Sequence, residues 1–241
     1  MSFLVRVTQV LPWFDWLALT WFFAAWWGYA AFARRRGAIE GTLLSTSNAI
    51  RRRWMVQATL RENRMLDGVV VQSMSNSSHF FASTTILIIG GLVAALGAGD
   101  KAFEMFQEIP FATRTSALVL DLKLLVLTGV YVFAFFRFSW SMRQYSFGAL
   151  LIGAAPSHPH FQQDEAAREA FGDHAGQVMG LAAETFNDGL RAIYMSFAVV
   201  LWLMSPLAFA VGTAGVLYVL YQREFHSEVL ALLRRPLPPA G

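Results

Sequence analysis

The sequence predicts an all-α integral membrane protein, a helical bundle with about four transmembrane helices and a long cytoplasmic helical segment. Hydrophobic residues make up 56% of its 241 residues and charged residues only 15%, and the mean hydropathy is +0.44. Such a composition is too apolar for an ordinary soluble domain. The Trp residues cluster near the ends of apolar runs, where indole rings lie at the level of lipid headgroups.

Four apolar runs define the predicted spans, and the first three are each close to the roughly 20 residues that cross a bilayer core. The runs cover residues 13–33, 80–98, 117–136 and 192–221. The fourth contains Pro206, which favours one tilted or kinked helix, with two short re-entrant halves as the alternative. We therefore predict a single membrane domain over the whole chain, followed by a flexible tail at 236–241.

The uneven distribution of arginines predicts the orientation. Eight Arg and only two acidic residues lie between Arg34 and Arg64, whereas the connection before the third span holds one Lys and one Arg. Because positive charge favours the cytoplasmic side, segments 34–79 and 137–191 are predicted to be cytoplasmic and both termini outside. The arginines follow the first run instead of preceding it, so this run is expected to be a retained anchor in a multi-pass protein of the plasma (inner) membrane.

The connecting segments are predicted to be largely helical. Residues 39–75 contain no Pro and carry apolar residues near helical spacing, which indicates one long helix leading into the second span. The second connection is polar and contains breakers such as Gly172. We expect a short helix around 162–171 and another from His174 into the fourth span.

Several classes of chemistry find no support in the residues. Cysteine is absent, which excludes disulfides, thiolate metal sites and Cys nucleophiles. The chain has no Gly-rich phosphate loop, dinucleotide fingerprint or Gly-x-Ser-x-Gly motif. His158 and His160 lack the i, i+4 spacing of a helical metal motif, and no compact ligand set accompanies them. We expect no enzyme activity, no cofactor, no metal and no nucleic-acid partner.

Three passages together resemble a known family. They are Ala49-Ile-Arg-Arg-Arg-Trp54 with Ser83-Thr-Thr-Ile86, then Leu122-Lys-Leu124 through Phe135-Phe-Arg-Phe138 to Ser141-Met-Arg-Gln-Tyr145, and Asn187-Asp-Gly-Leu-Arg-Ala192 before Ser196-Phe197. Over roughly residues 40–220 the chain is similar to the DUF599 family of multispan membrane proteins, which have no assigned activity. The resemblance implies a four-span architecture and supplies no catalytic or ligand residue.

Two ionisable residues stand inside the predicted third span, where charged side chains are costly and usually face a bundle interior or an aqueous path. Asp121 and Lys123 are two positions apart, so on a helix they point in different directions. Asp15, near the outer end of the first span, lies at a comparable level and is a candidate partner of Lys123. The two hypotheses are an ion or proton path lined by Asp121, with Lys123 controlling selectivity, and a structural pair, with Lys123 reaching toward the headgroups.

Three further sets of polar residues are candidate sites. Charged residues near span ends would form a cytoplasmic gate or a static set of ion pairs: Asp67, Arg137, Arg143, Glu184, Asp188 and Arg191. A polar strip at the start of the second span would line a pore, receive a ligand or pack helices through hydroxyl groups: Asn76, His79, Ser83, Thr84 and Thr85. A basic triplet would bind anionic lipid headgroups or only retain its segment in the cytoplasm: Arg51, Arg52 and Arg53.

Three functions stay open on the sequence alone. We expect a membrane scaffold or accessory protein that self-associates or joins a larger membrane complex, which accounts for the small-residue strips Gly90-Gly91 and Gly97-x-Gly99. The alternative is an oligomeric channel or transporter with a polar path involving Asp121 and Lys123. A membrane enzyme acting on a lipid or quinone, with His79 or the cytoplasmic carboxylates as acid and base, has the least support, because no pair of residues has a spacing that demands chemistry.

Overall fold

The computed structural model describes residues 11–37, 41–108 and 116–235, and these residues form helices and no strand. The predicted all-α class is confirmed, whereas the predicted tail at 236–241 lies outside the described residues. The helices in chain order are α1 (Trp13–Arg36), α2 (Leu43–Thr59), α3 (Met65–Gly97), α4 (Asp100–Gln107), α5 (Ala117–Ala154), α6 (His158–Gln163), α7 (Glu165–Trp202), α8 (Pro206–Phe225) and α9 (Glu228–Leu233).

Two of the described helices, α3 and α5, are long and apolar enough to cross a membrane by length and composition. The sequence predicted about four spans, so the number of such helices differs from the prediction. In α1 the apolar stretch is interrupted by Asp15, carries five indole groups and ends in three arginines, all of which lower its mean hydropathy. The fourth predicted run is divided between α7 and α8, which shortens its apolar stretch.

The predicted single kinked helix at 192–221 is wrong. Helix α7 ends at Trp202 and α8 begins at Pro206. Proline has no backbone N–H, so it interrupts a continuing helix but fits the first turn of a new one. The Ser205 side-chain oxygen accepts a hydrogen bond from the Ala208 N–H at 3.0 Å and so caps α8.

The predicted continuous helix over 39–75 is also wrong, because α2 and α3 are separate helices. The Asn63 side-chain oxygen accepts from the Met65 N–H at 2.8 Å, at the start of α3. At the end of α2, Arg64 Nε donates to the Ala58 carbonyl at 3.2 Å. These side chains satisfy backbone groups that would otherwise be unpaired at two helix ends, which stabilises the break.

The polar connection holds one short and one long helix instead of the two predicted ones. The predicted helices at 162–171 and from His174 onward both fall largely within α7, which runs without interruption for 38 residues. The short helix α6 precedes it and carries Pro159 in its first turn, where no backbone N–H is required.

Glycines let α7 approach α2 closely. A Cβ atom added at Gly172 would lie 2.2 Å from Val56 Cγ2, and one at Gly176 would lie 2.6 Å from Arg52 Cα. Gly180 faces Asn48 in the same way, at 3.2 Å from its Nδ2. The predicted breaker Gly172 is therefore a packing residue, since the four-residue spacing of these glycines places them on one helix face.

The fold divides into two compact units. In unit 1 the fully buried side chains include Phe22, Trp202 and Phe209, and in unit 2 the core contains Met55 and Met179. The single membrane domain stays a prediction. Unit 1 consists of the described residues within Met1–Ala33, Thr84–Ala134 and Leu190–Leu220, and unit 2 of those within Arg34–Ser83, Phe135–Gly189 and Tyr221–Gly241.

Candidate functional site

The break after α7 leaves a backbone carbonyl without its usual partner. In a continuing helix the Trp202 carbonyl would accept from the N–H four residues later, but that residue is Pro206. The chain tightens here, with Leu203 N donating to the Val200 carbonyl at 3.1 Å and Met204 N to the Leu201 carbonyl at 3.0 Å. The Trp202 carbonyl is thus available to a side chain from another helix.

Lys123 of α5 occupies that position. Its ammonium donates to the Trp202 carbonyl at 2.8 Å and lies 5.4 Å from the centroid of the Trp202 ring. A primary ammonium offers three donors and tolerates burial only where oxygen atoms or aromatic faces surround it. The Pro206 break therefore supplies the acceptor that a buried Lys123 needs.

Asp15 of α1 completes a three-residue cluster, which we call the Asp15 cluster: Asp15, Lys123 and Trp202. The Asp15 Oδ1 atom accepts from the Trp202 indole N–H at 2.6 Å and lies 3.8 Å from Lys123 Nζ. All three residues are buried. One tryptophan thus donates to the carboxylate and accepts from the ammonium, which links α1, α5 and the end of α7 within unit 1.

A series of aromatic side chains extends from the Asp15 cluster. The Trp202 ring stacks on Phe209 with centroids 4.9 Å apart, and Phe209 contacts Phe22 at 5.0 Å. Phe22 contacts Trp26, which in turn packs edge-on against Phe133. Because Asp15 and Lys123 are buried, each charge depends on the partners inside the cluster.

Asp121 lies on a different side of α5 from Lys123, as the sequence spacing predicted. Its side chain is exposed, whereas Lys123 is buried. Among the residues the structure describes, Asp121 has no ion-pair partner. The predicted pairing of Asp15 with Lys123 is present, and Asp121 is not part of it.

A second buried carboxylate stands in unit 2, and we call it with its partners the Asp67 cluster: Asp67, Trp54 and Arg61. The Trp54 indole N–H donates to Asp67 Oδ1 at 2.7 Å, and the Arg61 guanidinium binds the same oxygen. Asp67 lies in the first turn of α3, where the helix dipole favours a negative charge. Sequence reasoning named Asp67 but neither of its partners.

Arg64 lies between Arg61 and Asp67 in the chain and binds backbone carbonyls in unit 2. Its guanidinium donates to the Ala155 carbonyl at 3.1 Å and to the Pro156 carbonyl at 2.7 Å, and it stands over the Phe161 ring. Arginine suits this role because its planar fork presents several donors at fixed angles. Arg64 was not predicted as a site residue.

The other charged residues predicted near span ends have varied partners. In unit 2, Arg137 forms an ion pair with Asp188 at 3.3 Å, and Glu184 accepts from the Asn48 amide at 3.1 Å. In unit 1, the Arg191 guanidinium lies 5.8 Å from the centroid of the Tyr29 ring. The side chain of Arg143 is exposed. The predicted gate stays a prediction.

The predicted polar strip on α3 does not present a single surface. Asn76, His79 and Ser83 are exposed, Thr84 is half-buried and Thr85 is buried. One hydroxyl that contacts another helix belongs to Ser78 in unit 2, whose Oγ lies 3.2 Å from Ser141 Oγ. Ser141 Oγ then donates to the Ala182 carbonyl at 2.8 Å. This geometry favours packing through hydroxyl groups over a pore lining.

The three arginines of the basic triplet differ in their contacts and exposure. Arg51 donates to Asn48 at 2.8 Å, and burial lowers the pKa of its guanidinium, with nearby Tyr145 and Glu184 opposing that effect. Arg52 forms an ion pair with Asp173, and Arg53 is exposed. Arg51 and Arg52 thus bind side chains inside unit 2, and lipid headgroup binding stays a prediction.

Candidate metal ligands do not converge in the part of the chain that the structure describes. No group of three or more His, Cys, Asp or Glu side chains there could hold a metal ion. His158, a candidate from sequence, interacts with Gln162 at 2.8 Å on the same short helix. Several of the ion pairs and hydrogen bonds described above join one helix to another.

Comparison with known proteins identifies the family alone. A family model described as "Protein of unknown function, DUF599" matches residues 17–229, which is most of the chain. The resemblance predicted from the three passages is confirmed. No curated protein and no solved structure was found to match.

Proposed function

Since the chain belongs to the DUF599 family, whose function is unknown, we propose from its own geometry that it is an integral membrane scaffold or accessory protein. It self-associates or joins a larger membrane complex and carries out no reaction of its own. The proposal draws on two features of unit 1: an apolar exterior and a charged interior whose groups bind one another.

The exterior of unit 1 supports placement in a lipid bilayer. Large apolar side chains project from several of its helices, among them Leu87 (76% exposed), Leu207 (74%) and Trp27 (67%). Many large exposed apolar side chains in one unit are uncommon on soluble monomers and favour membrane or protein contact. A bilayer core would solvate these side chains without cost.

The Asp15 cluster is the observation that carries the scaffold proposal. A transport path needs ionisable groups that face a hydrated passage and exchange partners during transport. In unit 1 the buried Lys123 ammonium and Asp15 carboxylate face each other and Trp202. They serve helix cohesion, and the contact surface left to partners is apolar.

One observation favours a channel as the second candidate. Asp121 is exposed on α5 between the exposed Leu118 and Leu125. A carboxylate on an apolar surface is costly within a bilayer, so copies of the chain could bring several such groups around a shared path. This version needs an oligomer, since Asp121 lies on the outside of unit 1.

The orientation in the membrane is part of the proposal. The arginine-rich segment after α1 would face the cytoplasm of a multi-pass plasma (inner) membrane protein, with the N-terminus outside. In unit 2, Arg234 donates to the Gly41 carbonyl beside that segment and α9 packs against α2, so the described C-terminal end would lie on the cytoplasmic side, opposite to the sequence prediction. Arg53, exposed at the surface of unit 2, would be the first contact for anionic headgroups.

Reconstitution distinguishes the two candidates. The purified protein is placed in lipid nanodiscs to determine its mass and in liposomes to determine ion flux, alongside Asp121→Asn. The scaffold predicts a complex of several copies, or a stably co-purified membrane protein, with flux no higher than in empty liposomes for either variant. Flux that Asp121→Asn lowers would establish the channel instead, and a lone monomer without partners would contradict the scaffold.

A further inference from the structure

An apolar groove separates the N-terminal parts of α1 and α8 in unit 1. The two helices touch where Phe22 meets Phe209, with centroids 5.0 Å apart, and where the Trp21 indole donates to the Ala210 carbonyl at 3.4 Å. Beside this contact lies a groove of about 1300 Å³, which is larger than most ligand pockets. Aromatic and aliphatic side chains form its walls, including Trp13 and Leu207.

The two hydroxyls along the groove are engaged within their own helices. The Thr20 hydroxyl donates to the Trp16 carbonyl at 2.9 Å, and the Ser205 oxygen accepts from the Ala208 N–H at 3.0 Å. The lining therefore offers an occupant dispersion contacts and apolar area, with these two hydroxyls already engaged. A hydrocarbon chain fits this chemistry, whereas a ligand with a polar body would lose its hydrogen bonds to water.

The length of the groove favours a hydrocarbon chain over a transmembrane helix as its occupant. Its lining on α1 runs from Trp13 to Ala24, which at 1.5 Å per residue is about 17 Å. The hydrocarbon core of one leaflet is about 15 Å thick, half of a 30 Å bilayer core. A partner helix crossing the bilayer would need a surface about twice as long. Trp13 and Trp16 lie at one end of the groove, where indoles would mark the headgroup level.

We propose that this groove binds one acyl tail of a membrane phospholipid, in the leaflet that contains the N-terminal ends of α1 and α8. The inference rests on the membrane placement proposed above and adds a defined lipid site to it. The tail lies along the small residues of the groove floor, such as Ala24 and Ala214, between the larger side chains of the walls.

Photo-crosslinking tests the site. The protein is reconstituted in nanodiscs that contain phosphatidylcholine with a diazirine in one acyl chain, and labelled residues are mapped by mass spectrometry. Two variants fill the groove, Ala24→Phe and Ala214→Phe, at alanines that are exposed. Ala94→Phe on α3 is the matched control, since Ala94 is exposed in the same unit but lies outside the groove.

We expect more label on the groove residues than on the exposed α3 face around Leu87. Each groove-filling variant should lower groove labelling roughly tenfold, equivalent to about 1.4 kcal/mol of binding free energy, and Ala94→Phe should not. Equal labelling of both faces, unaffected by groove filling, would overturn the acyl site while leaving the membrane placement intact. Groove residues cross-linked to a second copy would replace the lipid with a protein occupant. An absence of label on both faces would contradict the membrane placement itself.

Discussion

The Asp15 cluster of unit 1 and the Asp67 cluster of unit 2 are built from the same chemical parts. Each has a buried aspartate whose Oδ1 accepts from an indole N–H, at 2.6 Å from Trp202 and 2.7 Å from Trp54. Each also has a cation beside the same oxygen, Lys123 in one and Arg61 in the other. The two clusters differ in how far that cation is removed from solvent.

Burial of the cation decides what each cluster contributes. The Lys123 side chain is 3% exposed, whereas the Arg61 side chain is 42% exposed. A buried cation depends on its partners because water cannot replace them, and a cation near the surface keeps much of its hydration. We infer that the Asp15 cluster ties unit 1 together and that the Asp67 cluster mainly stabilises the turn between α2 and α3.

The largest expected effect is that of Lys123→Met. The change leaves the Asp15 carboxylate and the Trp202 carbonyl without their cation, and breaking a buried pair in this way typically costs about 3–5 kcal/mol. Equilibrium unfolding in mixed micelles measures the loss. Asp121→Asn on the same helix is the control and should change stability by less than about 0.5 kcal/mol, because Asp121 is exposed. Equal effects of Lys123→Met and Asp121→Asn would contradict the inference that the buried Asp15 cluster stabilises unit 1.

A smaller effect on stability is expected at two glycines, one in each unit, because a Cβ atom would meet close neighbours at one and none at the other. Gly176→Ala in unit 2 would place a Cβ 2.6 Å from Arg52 Cα, and such overpacking costs about 1–3 kcal/mol. Gly90→Ala on α3 in unit 1 meets nothing within 4 Å and should stabilise the helix by about 0.5–1 kcal/mol. Both variants are measured by the same unfolding assay. A destabilising Gly90→Ala would show that this face is closely packed against another molecule.

The smallest expected effect is that of Arg61→Ala. Arg61→Ala removes the cation from the buried Asp67 carboxylate, but the Trp54 indole and the helix dipole still stabilise that charge, and the space left by the 42% exposed guanidinium side chain admits water. The loss should therefore stay near about 1 kcal/mol and should weaken as salt is raised. The unfolding free energies of this variant and of the unmodified protein are compared at low and high salt. The penalty for Lys123→Met should hardly change with salt, and a matching salt dependence would mean that both cations are solvated.

The pairing of Asp15 with Lys123 could be predicted from the sequence because each residue's level follows from its distance to the end of an apolar run. Trp202 could not be, since its role depends on a helix break. The signal was present in the spacing, as Pro206 lies four residues after Trp202 and removes the N–H that the Trp202 carbonyl would bind.

Other differences arise because tertiary contacts override local pattern. Gly172 looked like a breaker in isolation, yet packing against Val56 keeps it inside a long helix. The break between α2 and α3 depends on side chains of Asn63 and Arg64 binding backbone groups, and no proline marks it. Four-residue glycine spacing was the available signal for the α2 contact, and it is visible from Gly172 to Gly180.

A double-mutant cycle between Asp15 and Lys123 tests the account most directly. Unfolding free energies are measured for Asp15→Asn, Lys123→Met and the double variant, with ion flux measured in parallel. We predict a coupling energy of about 2–3 kcal/mol, with the double variant more stable than the sum of the single losses implies and flux at background throughout. Losses that add within about 0.5 kcal/mol, or flux that either variant abolishes, would contradict a closed structural pair.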